Sequence, residues 1–131
     1  MVALAEEFKS FDRYVIAAPM WNFSIPYRLK HYLDLLIQPT LTFSFTPELG
    51  YRGLVTGNPV FLALARGGEY PAGSPGEAWD FQLKYLKTIL GFIGFTDIRM
   101  AVAEPTLGAP DVTASRRNDA VAQAARMGAE F

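Results

Sequence analysis

Apolar residues follow two rhythms along this chain. Tyr14-Val15-Ile16-Ala17-Ala18 and Pro59–Ala65 are short apolar runs, the pattern of strands buried on both faces of a parallel sheet. Elsewhere the spacing turns helical. Ile25, Leu29, Tyr32, Leu33 and Leu36 predict a helix over about 25–37, with Ser24 as N-cap, Pro26 in the first turn and Gln38-Pro39 as the stop. Two stripes run from Trp79 to about Ile93. Trp79, Leu83, Leu86, Leu90 and Ile93 can cover a sheet, whereas Phe81, Tyr85, Ile89 and Phe92 need a second cover, for which another subunit is the simplest candidate. Met1 to about Lys9 reads as the end of a helix, Asp97–Ala103 as a third strand, and Asp111 to about Met127 as an alanine-rich final helix.

Thr40–Thr46 alternates, with Leu41, Phe43 and Phe45 on one side, and fits either an extended arm or a hairpin strand. The order is then β-α-β-α-β-α after a helix end. It predicts one α/β domain over residues 1–131, built on a parallel sheet with right-handed crossovers. Ligands of such sheets bind beyond the C-terminal ends of the strands. Two unusual stretches fall there: Met20–Phe23 and Ala65–Gly68.

Composition narrows the function classes. The chain has 131 residues, 50% apolar and 19% charged, with a net charge of −1, which suits one globular domain. Lys and Arg are scattered, so no basic face for nucleic acid is expected. The absence of cysteine excludes disulfides, thiolate catalysis and thiolate metal sites. His31, between Lys30 and Tyr32 on a helix, reads as solvated, and no metal site is expected. Glu6, Glu7 and Lys9 interrupt the N-terminal apolar residues, so no export signal is read; no apolar run reaches the length of a membrane span, and a cytoplasmic location is expected.

The two strand-end stretches share one chemistry. Met20-Trp21-Asn22-Phe23 offers backbone N–H groups, a side-chain amide and aromatic faces, a set that suits a flat heteroaromatic ligand edged with carbonyls and ring nitrogens. Gly67 and Gly68 let backbone approach a ligand closely. The competing reading is ordinary packing: aromatics under a helix, Asn22 as a cap, Arg66 as an exposed loop residue, Trp79 in core or interface. A phosphate-loop nucleotide module is disfavoured, because Arg66-Gly67-Gly68 is short and a long loop separates it from the next helix.

The stretches APMWNFSIPYRLKHYLD, LALARGG and LGFIGFTD closely resemble FMN-dependent NADH azoreductases, of the flavodoxin-like NAD(P)H:quinone oxidoreductase superfamily. The resemblance implies a flavodoxin-like fold, a homodimer, and FMN at the strand ends. It implies two-electron ping-pong transfer from NADH or NADPH to a quinone or azo acceptor, with no catalytic protein nucleophile. By the family's motif, Met20, Trp21, Asn22 and Phe23 contact one edge of the isoalloxazine ring, and Ala65, Arg66, Gly67 and Gly68 the other. Ala65 stands where many relatives carry a hydroxyl residue. Phe45 and Phe92 match aromatics that line the substrate site from the partner subunit. The family begins with a further strand, a serine-containing phosphate loop, a helix, a strand and a helix. By that resemblance the chain holds only the third, fourth and fifth strands and lacks the phosphate-binding half. It is then expected to bind FMN weakly or not at all alone. The alternative is a non-catalytic flavodoxin-like fragment or interaction module.

Overall fold

Apolar runs become strands and striped segments become helices across residues 1–131, all of which the structure, a computed structural model, describes. Helix α1 (Val2–Lys9) leads into strand β1 (Tyr14–Pro19) and helix α2 (Tyr27–Leu36). A hairpin of β2 (Phe43–Thr46) and β3 (Gly50–Gly53) follows. Then come β4 (Val60–Ala65), a 3-10 turn (Pro75–Trp79), α3 (Leu83–Ile93), β5 (Ile98–Ala103) and α4 (Pro110–Gly128).

Strands β1, β4 and β5 form a parallel sheet in the order β1-β4-β5. The middle strand is covered on both faces. Val60, Leu62 and Leu64 join Leu33 and Leu36 of α2 and Leu86, Leu90 and Ile93 of α3 in the core. On the opposite face Phe61 is buried edge-on to Phe131 (5.9 Å between ring centres), while Ala63, Ala65, Ala101 and Ala103 line an open cleft of about 230 Å³ with Ala120, Val121 and Ala124 of α4. The expectation that Tyr14–Ala18 is buried on both faces is corrected. Its outer edge has no neighbouring strand and α4 does not reach it, so Val15 is 66% exposed while Tyr14 and Ala18 are buried.

Three local expectations also change. Ser24 does not cap α2: its N–H and C=O pair with Trp21 instead, and the helix starts at Tyr27 without a side-chain cap. Proline holds the residue before it out of the helical region, so Ile25 cannot open the helix. Tyr32 of the predicted buried stripe is exposed. The segment predicted as one helix from Trp79 is broken at Asp80. Its carboxylate oxygen Oδ1 accepts the N–H groups of Gln82 (3.1 Å) and Leu83 (2.9 Å), and the helix restarts behind that cap.

Thr40–Thr46 resolves as a hairpin rather than an arm. The hairpin packs on the C-terminal end of α3, so closely that a Cβ on Gly53 would fall 2.3 Å from the backbone of Gly94. Phe43 and Tyr51 pack at a tilt against Phe92, with ring centroids at 4.8 and 5.5 Å. Part of the second α3 stripe is therefore covered by the chain itself.

Tyr14 ties α1 to the sheet. Its single O–H is shared between the carbonyls of Phe8 (2.7 Å) and Phe11 (3.0 Å), and burial raises its pKa above the usual value of 10.0. Below pH 10 the phenol is protonated in both folded and unfolded chains. Above it the unfolded chain gives up the proton first, so this contribution is lost as pH rises. Tyr14→Phe should lower stability at pH 7 by about 1–2 kcal/mol in urea unfolding. The variant should lose less further stability than the wild type between pH 9 and about 11; parallel losses would show that the phenol is not a linked group.

Candidate functional site

The two strand-end stretches lie side by side because β1 and β4 are adjacent and in register to their last residues, Pro19 opposite Ala65. One more bond, Met20 N–H to Ala65 C=O at 2.8 Å, carries the pairing into the loops. Met20–Phe23 and Ala65–Gly68 thus leave the same rim of the sheet.

Trp21 and Ser24 close the first loop by reciprocal backbone hydrogen bonds of 2.9 and 3.0 Å. Between them Asn22 and Phe23 have positive φ, 47° and 68°. Two such residues in succession make a turn that glycine, asparagine and aspartate favour. For Phe23 this conformation costs about 1–2 kcal/mol, so the surroundings must hold it. They do so from two sides. Its carbonyl accepts the N–H of Phe81 at 2.9 Å, and its ring lies against Trp79 (5.3 Å) and edge-on to Tyr70 (6.4 Å).

The N–H groups of Asn22, Phe23, Gly67 and Gly68 find no acceptor within the chain. Asn22, Phe23 and Gly68 are exposed and Gly67 is half-buried. Two adjacent turns therefore present four unpaired backbone donors beside the exposed faces of Trp21, Phe23 and Trp79. Asn22 caps nothing and lines an open cleft of about 360 Å³ with Trp21, Tyr27, Lys30 and Tyr85. There, a hydrogen bond to Asp34 raises the Lys30 pKa, and burial raises that of Tyr85. A larger cavity of about 530 Å³ opens between the 3-10 turn and α3 and touches neither turn.

Arg66 departs from the expected exposed loop residue: it is 3% exposed. Its Nη1 bonds to Asp80 Oδ2, its Nε to Glu104 Oε2 at 2.9 Å, and its guanidinium lies 5.3 Å from the Tyr70 ring centre. Trp79, read as core or interface, is 56% exposed beside Phe23. Phe45 and Phe92 meet in the hairpin cluster through Tyr51, at the other end of α3. An eleven-residue helix separates that cluster from the turns by roughly 15 Å.

Sequence reasoning missed Tyr70, Asp80 and Glu104. The register that puts Ala65 opposite Ala103 also puts Arg66 beside Glu104, so an arginine and a glutamate each directly following a predicted parallel strand were the available signal. Asp80 was hidden inside an apparently continuous helical stripe.

Residues 1–127 match the model of a family described by its flavodoxin-like fold. The chain is 64% identical over 127 residues to an FMN-dependent NADH:quinone oxidoreductase of Nitratidesulfovibrio vulgaris strain DP4, covering 96% of this chain and 60% of that protein. A protein of the same name from Desulfotalea psychrophila is 50% identical over 104 residues, covering 79% and 49%. Among solved structures, an azoreductase from Bacillus anthracis strain Sterne superposes with a TM-score of 0.90 at 31% identity, covering 98% of this chain and 61% of that one. An FMN-dependent NADH-azoreductase from the Ames Ancestor strain, in complex with FMN, gives 0.81 at 30% identity, covering 95% and 60%. The chain spans about 60% of the length of the first relatives it matches.

Because the Asn22 side chain supports no element, Asn22→Gly should keep the unfolding free energy measured in urea within about 1 kcal/mol of wild type. A larger loss would make the amide structural. Phe23→Ala should cost more, since it removes both ring contacts.

Proposed function

The chain belongs to the flavodoxin-like fold family, and on that footing we propose that it carries the ring-binding turns of an FMN-dependent NAD(P)H oxidoreductase acting on quinones and azo compounds. The observation behind this reading is the set of four unpaired backbone N–H groups on two neighbouring turns, flanked by aromatic faces. The donor set fits the cofactor: an isoalloxazine edge offers carbonyl oxygens and two unprotonated ring nitrogens that such N–H groups satisfy, and one ring N–H that needs an oxygen acceptor instead.

In this reading Met20, Trp21, Asn22 and Phe23 bind one edge of the ring: Asn22 and Phe23 through their free N–H groups, Asn22 also through its side-chain amide, and Met20 and Trp21, whose N–H groups are paired with Ala65 and Ser24, through side-chain contact. Ala65, Gly67 and Gly68 bind the other, with no Cβ on the glycines to hold a ligand off. Arg66 has its guanidinium committed to Asp80 and Glu104, so only its backbone is available to the ring edge. The aromatic faces of Trp21 and Phe23 exclude water beside the ring. When bound, FMN supplies two-electron hydride chemistry, from NADH or NADPH to the acceptor in a ping-pong cycle. No side-chain nucleophile is required, and the protein's part is to orient the ring and polarise it through fixed N–H dipoles. Phe45 and Phe92 line the acceptor site of a second copy in a homodimer. Their distance from the turns of their own chain and the 57% exposure of Phe45 support that assignment.

Titration of the folded chain with FMN and with riboflavin, followed by flavin absorbance and fluorescence, tests the reading. Recognition through the ring edge predicts weak binding of both, with affinities within about threefold of each other, and a loss of about tenfold in Asn22→Gly. No perturbation of either flavin by folded chain at ~1 mM would refute it, since that limit leaves less than about 4 kcal/mol of binding.

A further inference from the structure

We propose that Arg66 is a positioning residue: its guanidinium, held between Asp80 and Glu104, sets the spacing of the Gly67–Gly68 turn against the Trp21–Phe23 turn. The inference rests on the reading of those turns as the two sides of one ligand cleft.

The connections run through Arg66 in both directions. Its own backbone is tied to β5 and to the loop beyond it, N–H to Ala103 C=O at 3.0 Å and C=O to Thr106 N–H at 2.9 Å. Its side chain reaches away from that strand to Asp80. Asp80 uses its other oxygen to cap α3, and the next residue, Phe81, donates its N–H to Phe23 C=O. Gln82, fully buried, donates Nε2–H to Ala18 C=O at 3.2 Å near the end of β1. The segment Asp80–Gln82 thus grips the first turn, and Arg66 latches that segment to the second. Glu104 fixes the latch from the far side, accepting Arg66 Nε–H and the Tyr70 N–H (3.3 Å) on the same oxygen. A parallel route passes from the guanidinium to the Tyr70 ring and from there to the Phe23 ring.

A buried ion pair adds little net stability over an apolar pair of similar size, because desolvation offsets the attraction. Its value is geometric. A planar guanidinium with carboxylates on two sides has one low-energy placement, which a lysine ammonium does not reproduce. The first turn holds a strained phenylalanine, and strain of this kind persists only where neighbours fix it. Arg66 bears on those neighbours from the glycine side, through Asp80 to the Phe81 segment and through its contact with the Tyr70 ring.

Removing Arg66 alone would leave two carboxylates uncompensated, so the decisive variant is the charge-free triple Arg66→Met, Asp80→Asn, Glu104→Gln, with Arg66→Lys beside it. The first readout is amide hydrogen exchange in the flavin-free chain. The proposal expects the Phe81 and Tyr70 amides to exchange about tenfold faster in both variants, while the amides of Leu62 and Leu86 keep their wild-type rates. The second is riboflavin affinity, expected to fall by about tenfold in both variants. A uniform change across all amides, or Phe81 and Tyr70 protection unchanged in folded triple variant, overturns the proposal. If the wild type binds no flavin, the flavin reading fails, but the exchange experiment still decides whether Arg66 latches the turns.

Discussion

Six residue pairs, from Tyr14–Val60 to Pro19–Ala65, hold β1 parallel to β4, and the bond from Met20 N–H to Ala65 C=O extends that ladder into the loops. Without this pairing the two turns would have no common frame. Parallel strands deliver both turns to the same rim, and adjacency leaves only one strand spacing between their starting points, about 4.8 Å. The core serves this arrangement. Val60, Leu62 and Leu64 face α2 and α3, and the strand pairs with β1 and β5 on its two edges, so the central strand that leads into Arg66–Gly68 is fixed in the core.

Above that frame the chain spends polar interactions on geometry. Asn22 and Phe23 occupy a conformation unfavourable for phenylalanine, Arg66 is buried with two carboxylates, and Gln82 is fully buried with Oε1 unpaired within the chain. Each would be costly in an idealised domain, and all three cluster at the same rim. Departures from local rules gathered at one place are what a functional site produces, because the surrounding structure holds conformations that isolated segments would abandon.

The sequence carried most of the architecture. Unbroken apolar runs marked β1 and β4, and the stripe Leu83–Leu86–Leu90–Ile93 marked α3. Met20–Phe23 and Ala65–Gly68 stood out because aromatics, an amide and paired glycines are unusual directly after buried strands. What stayed hidden was set by tertiary partners. Val15 reads like a buried residue, and only the sheet order shows that nothing covers it. Ser24 has the chemistry of a helix cap, but its backbone is engaged with Trp21. Trp79 fits a helical stripe, yet the Asp80 cap separates it from α3 and leaves it beside Phe23. Arg66 has the composition of a loop residue, and its burial depends on Asp80 and Glu104, 14 and 38 residues away.

The proposed function requires the two turns to act as one recognition surface. Its most direct test is a riboflavin titration of the nitrogen-15-labelled chain, followed by backbone amide chemical shifts. The N–H signals of Asn22, Phe23, Gly67 and Gly68 should move together along one binding curve, while amides of the β2–β3 hairpin stay still. Shifts confined to one turn, or centred on the cavity between the 3-10 turn and α3, would contradict it.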